Sequence, residues 1–137
     1  MKELLFNASS MIRAIKERRV DLLIKGNIQP STIYEVLNAF WKEAYLIRTI
    51  SKEAAIKATT LISELIKEMK ILTITGLEKE IIELALNLGL TVYDASYVIL
   101  AKKNNLVLVT EDEEIHKKAR NLVKVAHLDD IKSSTSP

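Results

Sequence analysis

Short runs of consecutive apolar residues, Leu4-Leu5-Phe6 and Leu106-Val107-Leu108-Val109, alternate along this chain with longer segments whose apolar residues recur every three or four positions. A strand that is apolar at every position is buried on both faces, which is the pattern of a parallel sheet covered by helices on both sides. An α/β architecture follows. At 137 residues the chain is about one average domain. No repeat or boundary interrupts it, so a single domain is expected over residues 1–131, with a disordered tail over 132–137.

Helix and turn signals order the elements. Asn7 after the first strand is a candidate N-cap for "SSMIRAIKERR", with Met11, Ile12 and Ile15 inward. "KGNIQPST" is a turn cluster delivering a brief strand at Ile28. The next helix, "TIYEVLNAFWKEAYLI", has a core stripe of Ile33, Val36, Leu37, Phe40, Ala44 and Ile47, which turns Glu35 away from the core. From Ser51 to Met69 the period predicts a long helix with Ile56, Leu61, Ile62, Leu65 and Ile66 inward, followed by a strand at "ILTI". "GLEKEIIELALNLG" is a helix ended by Gly89. An extended "TVY" leads into a helix opening at Asp94; then come the strand at 106–109, a helix after Thr110 and a closing strand near Leu122 to Val125.

Composition removes several classes of chemistry. With no Cys there is no disulfide, thiolate metal site or cysteine nucleophile, and His116 and His127 are too far apart in sequence for a local ligand pair, so a metal would need oxygen donors. The net charge of +2 permits a polyanionic partner without demanding one. No stretch approaches the ~18 apolar residues of a membrane span, so a soluble, cytoplasmic protein with no membrane partner is expected. There is also no Gly-rich phosphate loop, which puts a nucleotide-binding or phosphoacceptor domain last among the readings.

In an open parallel sheet, ligands gather beyond the carboxyl ends of the strands. Asn7 follows the first strand, Asp112 follows "LVLVT" by one residue, and Asp94 opens a helix after an extended segment. Neighbouring strands are ~4.8 Å apart, close enough for side chains at adjacent ends to share a divalent ion. Taken singly, each residue reads first as a helix cap. Glu35 fits a capping box with Thr32, as do Thr75 with Glu78 and Thr110 with Glu113.

Two segments resemble a known family. "YDASYVILAKKNNLVLVTEDEEIHKKA" looks like the C-terminal half of a PIN-domain ribonuclease of the VapC toxin type, and "PSTIYEVLNAFWK" looks like the stretch carrying that family's second acid. The resemblance runs from Leu4 to about Leu128. It implies a Rossmann-like three-layer α/β/α sandwich with a mostly parallel sheet, Mg²⁺ or Mn²⁺ held by acids from distant segments, and hydrolysis of RNA phosphodiesters. It also implies a cognate antitoxin protein and a homodimer. Residue by residue, Glu35, Asp94 and Asp112 match the family's acids, Thr110 the hydroxyl residue before the last acid, and Ser9 the hydroxyl two places after the first. The departure is Asn7, where the family has Asp. The site loses one negative charge there, so weak metal binding and slow or absent cleavage are expected.

The competing reading is a catalytically silent PIN-like module that binds RNA or a protein partner without cutting. Arg13, Lys16, Lys102, Lys117 and Arg120 are read first as a solvated face and second as guides for an RNA backbone. His116 is read as a surface residue. Trp41 and Tyr45 are candidates for a protein interface, with Phe40 in the core by default.

Overall fold

The computed structural model describes residues 3–132, so residues 133–137 of the expected tail lie outside the described residues. Five strands, β1 (Leu4–Phe6), β2 (Asn27–Ile28), β3 (Lys70–Ile71), β4 (Val107–Val109) and β5 (Val125–Ala126), form one sheet in the order β3-β2-β1-β4-β5. Every pairing is parallel, and β1 lies beside β4 with Leu4, Leu5 and Phe6 opposite Val107, Leu108 and Val109. The α-helices among the described residues are α1 (Ala8–Lys16), α2 (Pro30–Trp41), α3 (Lys52–Lys67), α4 (Glu78–Leu88), α5 (Val92–Asn104) and α6 (Glu113–Ala119).

Alternation along each strand divides the interior into two cores. Phe6, Val107 and Val109 face Met11 and Ala14 of α1, Val36 and Phe40 of α2, and Ile62 and Leu65 of α3. Leu5 and Leu108 face Ile81 and Ala85 of α4, Ala95 to Ala101 of α5, and Ile115 and Ala119 of α6. This is the three-layer α/β/α sandwich expected, with both faces of the parallel sheet covered. Among the described residues no single helix is long and apolar enough to cross a membrane; α4 and α5 pass that test only as a pair bent by 117°.

Several boundaries differ from the sequence reading, each for a local reason. Of "TVY" only Thr91 is extended: its side chain accepts the Asp94 N–H, which makes it the N-cap and starts α5 at Val92. α1 stops at Lys16 because Arg18 takes a left-handed conformation (φ 59) and turns the chain back. Only Ile71 of "ILTI" pairs in the sheet, and the closing strand falls at Val125–Ala126 rather than 122–125. The helix expected to run from Thr32 to Ile47 begins two residues earlier at Pro30 and turns π-helical over Lys42–Ile47. In that widened end Ile47 is exposed, and Leu37, Ile56 and Leu61 also face outward rather than into the core.

The three proposed capping boxes are not formed as read. α2 is entered from Gln29, whose N–H donates to Thr32 Oγ1 at 3.2 Å. α4 is entered from Leu77, and the carboxylate of Glu78 accepts from Gly76 N–H. α6 is capped by Asp112 rather than Thr110. Gly26, just before β2, is required sterically: a Cβ there would sit 2.8 Å from the Phe6 ring and 2.9 Å from the Leu23 carbonyl.

Candidate metal and catalytic site

In the order β3-β2-β1-β4-β5 the chain moves outward from β1 in one direction, then crosses to its other side with β4. The topological switch point therefore lies between β1 and β4, where an open α/β sheet forms a crevice at its carboxyl edge. Asn7 and Thr110 sit at those two strand ends.

Asn7 is buried, 8% exposed, and caps α1 by accepting the Ser10 N–H at 3.2 Å. Its Oδ1 also accepts from Ser9 Oγ at 2.9 Å, and its Nδ2 donates to Thr110 Oγ1 at 2.7 Å. The Ser10 hydroxyl has one proton and gives it to the Val109 carbonyl at 2.6 Å. The amide of Asn7 is thus committed on both sides, with its NH₂ turned toward Thr110. Ser9 Oγ accepts in turn from Glu111 N–H at 3.3 Å, joining the start of α1 to the loop after β4.

Thr110 is fully buried, and its Oγ1 also accepts from Asp112 N–H at 3.1 Å. Asp112 is the N-cap of α6, its Oδ1 accepting from Glu114 N–H at 2.8 Å and Ile115 N–H at 3.4 Å. Asp94 is not a cap; it lies in the first turn of α5, behind the Thr91 cap, and follows no strand. Burial, then the charge of Asp112, raises the pKa of Asp94, with Glu114 adding to it and Thr91 opposing. Burial, then Asp94, raises that of Glu35 on α2. Like charges thus run in series from Glu35 through Asp94 to Asp112.

Buried polar contacts between α2 and α5 hold this arrangement. Thr32 Oγ1 and Tyr97 OH share a hydrogen bond of 2.6 Å, and Gln29 Nε2 donates to Ser96 Oγ at 2.8 Å. Glu35 lies three residues beyond Thr32 and Asp94 three before Tyr97, so each acid shares a helix face with one end of that bond. Tyr97 is 2% exposed and burial pushes its phenol up to about 12, so it stays a neutral hydrogen-bonding group. The sequence points to Thr32 only as a capping-box residue and assigns no role to Gln29, Ser96 or Tyr97; polar side chains at the start of an apolar-periodic helix are the available signal.

On the other side, Arg13 pairs with Glu17, Glu111 and Asp129, and these hydrogen bonds, that to Glu17 first, raise its pKa further. Arg13 is therefore engaged rather than part of a free solvated face. Glu111 also accepts the Leu128 N–H at 2.9 Å. His116 is half-buried: its Nε2 donates to the Thr110 carbonyl at 2.7 Å and its ring stacks on His127 at 3.7 Å.

Among the described residues no three His, Asp or Glu side chains stand close enough to hold one ion as they are. The donor set nonetheless suits a hard divalent cation. It offers carboxylate oxygens whose mutual repulsion a positive charge would relieve, and Mg²⁺ usually keeps several waters around one or two carboxylates. Asn7 is the poor member, because its single oxygen already accepts from α1 and its other terminus is an NH₂, whereas only Oδ1 of the Asp112 carboxylate serves the cap of α6.

Residues 5–121 match the PIN domain. The chain is 39% identical over 97 residues to Exonuclease VapC9 of Pyrobaculum aerophilum, covering 71% of this chain and 69% of that protein. It is 38% identical over 93 residues to Ribonuclease VapC3 of the same organism, covering 66% and 68%. The crystal structure of PAE2754 from Pyrobaculum aerophilum shares the fold with a TM-score of 0.77 at 31% identity, over 94% of this chain and 91% of that one. Matched from β1 to just past α6, and similar in sequence and fold to these proteins, the chain belongs to the PIN-domain family and, within it, to the VapC type.

Proposed function

We propose that this protein is a metal-dependent ribonuclease of a toxin–antitoxin pair, slowed by Asn7. The observation that carries the reading is the series of like-charged carboxylates, Glu35 to Asp94 to Asp112, at the carboxyl edge beside the switch point. Asp94 and Asp112 would hold Mg²⁺ or Mn²⁺, with Glu35 engaged directly or through water. When bound, such an ion offsets charge building on a phosphate and favours deprotonation of a nearby water. Asp112 is oriented by the two N–H groups at the start of α6, which fixes its carboxylate before any ligand arrives. Glu35, exposed and with a raised proton affinity, is suited to accept a proton from the attacking water. Ser9 and Thr110 act by positioning: one bridges Asn7 to Glu111, the other joins Asn7 to the Asp112 backbone.

A second reading, the silent binding module, is favoured by one observation: the Asn7 amide is engaged within the protein through both its oxygen and its nitrogen. Single-stranded RNA incubated with Mn²⁺ separates the two. Cleavage abolished by both EDTA and Asp94→Ala supports the nuclease. Binding without turnover, unchanged in Asn7→Asp, supports the module.

The nuclease reading brings a cognate antitoxin, a homodimer and a cytoplasmic setting with it. A trough of about 540 Å³ between α2 and α3, lined by Leu37, Phe40, Trp41, Ala44, Tyr45 and Ile56, supports a protein partner. Trp41 and Tyr45 stack there at 5.4 Å, both substantially exposed.

A further inference from the structure

A second cavity lies at the opposite end of α5 and α6 from the acids. About 440 Å³ in volume, it is lined by Ala101, Lys102, Asn105 and Leu106 from the end of α5, and by Arg120 to Lys124 from the end of α6. Three of these side chains are cationic (Lys102, Arg120 and Lys124), two are amides (Asn105 and Asn121), and none is acidic. The whole chain is nearly balanced, with 20 basic and 18 acidic residues. Three cations around one cavity are therefore a local segregation of charge that composition does not supply.

Basic residues often gather at helix C-termini simply to complement the macrodipole. Magnitudes argue against that as the full account. Two helix ends contribute at most about −1 charge together, against three full positive charges, so the cavity stays net positive. Its neighbours show the contrast: Lys103 is paired with Glu80 and Lys118 with Glu114, whereas no ion pair is formed by Lys102, Arg120 or Lys124 among the described residues.

Lys102 lies eight positions after Asp94 along α5, and Arg120 eight positions after Asp112 along α6, which is about 12 Å at 1.5 Å per position. At roughly 3.4 Å per stacked nucleotide, that spans three to four nucleotides. We infer that Lys102, Arg120 and Lys124 form a phosphate subsite that seats the backbone of single-stranded RNA a few nucleotides from the acids. The inference rests on the proposed nuclease reading only for the identity of the polyanion. The guanidinium of Arg120 can grip a phosphate with two parallel hydrogen bonds, while the two ammonium groups act as point charges.

Fluorescence anisotropy with a labelled ten-nucleotide single-stranded RNA, in EDTA so that nothing is cut, tests it. The variants are Lys102→Ala/Arg120→Ala/Lys124→Ala and a control removing the same charge elsewhere, Lys25→Ala/Lys42→Ala/Lys57→Ala. Circular dichroism checks that both fold. At about 50 mM salt the cavity variant is expected to bind at least tenfold more weakly, and its slope of log affinity against log salt falls by about 2, from 0.7 per phosphate contact. The control stays near wild type. Unchanged binding in the cavity variant overturns the subsite, as does equal weakening in the control. Loss of inorganic pyrophosphate binding with RNA affinity intact assigns the cavity to a small anion and overturns the RNA reading as well. Absence of cleavage by the Mn²⁺-loaded protein, by contrast, sinks the nuclease and leaves this binding result standing.

Discussion

Asn7 joins structure and chemistry in one side chain. Its Oδ1 caps α1 and its Nδ2 reaches Thr110. Asp caps a helix as well as Asn does, so Asn7→Asp keeps the cap while replacing the NH₂ with a second anionic oxygen facing Thr110, whose hydroxyl can then donate. Calorimetry is expected to show Mn²⁺ bound at least tenfold more tightly, about 1.4 kcal/mol; equal affinity would remove Asn7 from the account of the site. Asn7→Ala loses the cap and leaves buried partners unsatisfied, so urea denaturation should show a loss of about 1–3 kcal/mol. Glu35 and Asp94 bear on pH. Both have raised pKa values when folded, so the native state holds protons that the unfolded chain has released. Their stabilising effect is complete below the ordinary values of 4.5 and 3.8 and is lost as pH rises through the raised ones. Thermal melts across this window should therefore show Asp94→Asn flattening the decline, with a gain at neutral pH on the order of 0.5 kcal/mol for so partly exposed a group. The capping role of Asn7 was legible in the sequence, and Asp112 was read as a candidate cap. The sequence misplaces the start of α5 at Asp94, because a β-branched Thr-Val pair reads as strand and hides the better-placed cap, Thr91, three residues earlier.

Among the elements, α2 and α5 matter most, since they come from opposite layers and meet through Thr32 and Tyr97 at 2.6 Å. Removing the Tyr97 hydroxyl takes one of two buried partners from Thr32, which keeps the Gln29 N–H, so Tyr97→Phe is expected to cost about 1 kcal/mol in urea. It should also weaken Mn²⁺ binding, because the bond that sets Glu35 near Asp94 is gone; metal affinity unchanged at reduced stability would mean the contact only packs the helices. At β2, Gly26→Ala must displace the Phe6 ring or the Leu23 backbone, for a loss of about 1–3 kcal/mol. The helices were legible because their apolar period is long and regular. Their ends were less so, since a left-handed Arg18 or a π-helical widening after Trp41 depends on tertiary contacts. Strands two or three residues long carry too little pattern for their limits to be read, which is why "ILTI" and the closing strand were misplaced.

For the whole molecule, the parallel α/β sandwich could be read from strands apolar at every position, but the strand order could not, because it is set by the side to which each crossover returns. If the acidic basin holds a cation, binding acts on global stability: at a hundred times its dissociation constant Mn²⁺ should add about 2.7 kcal/mol. That gain should be reversed by EDTA and absent in Asp94→Asn, with differential scanning calorimetry as the readout. The order β3-β2-β1-β4-β5 also bears on biosynthesis, since β1 leaves the ribosome first yet ends at the centre of the sheet. Its second edge stays open until β4 emerges and Leu5 meets Leu108. Domains form as the chain is extruded, so the half bearing Asn7 can wait in a partial sheet while Asp112 is still untranslated. Asp112 therefore reaches Asp94 only after β4 has been made, and a nascent chain stalled before β4 lacks one of the acids of the proposed site.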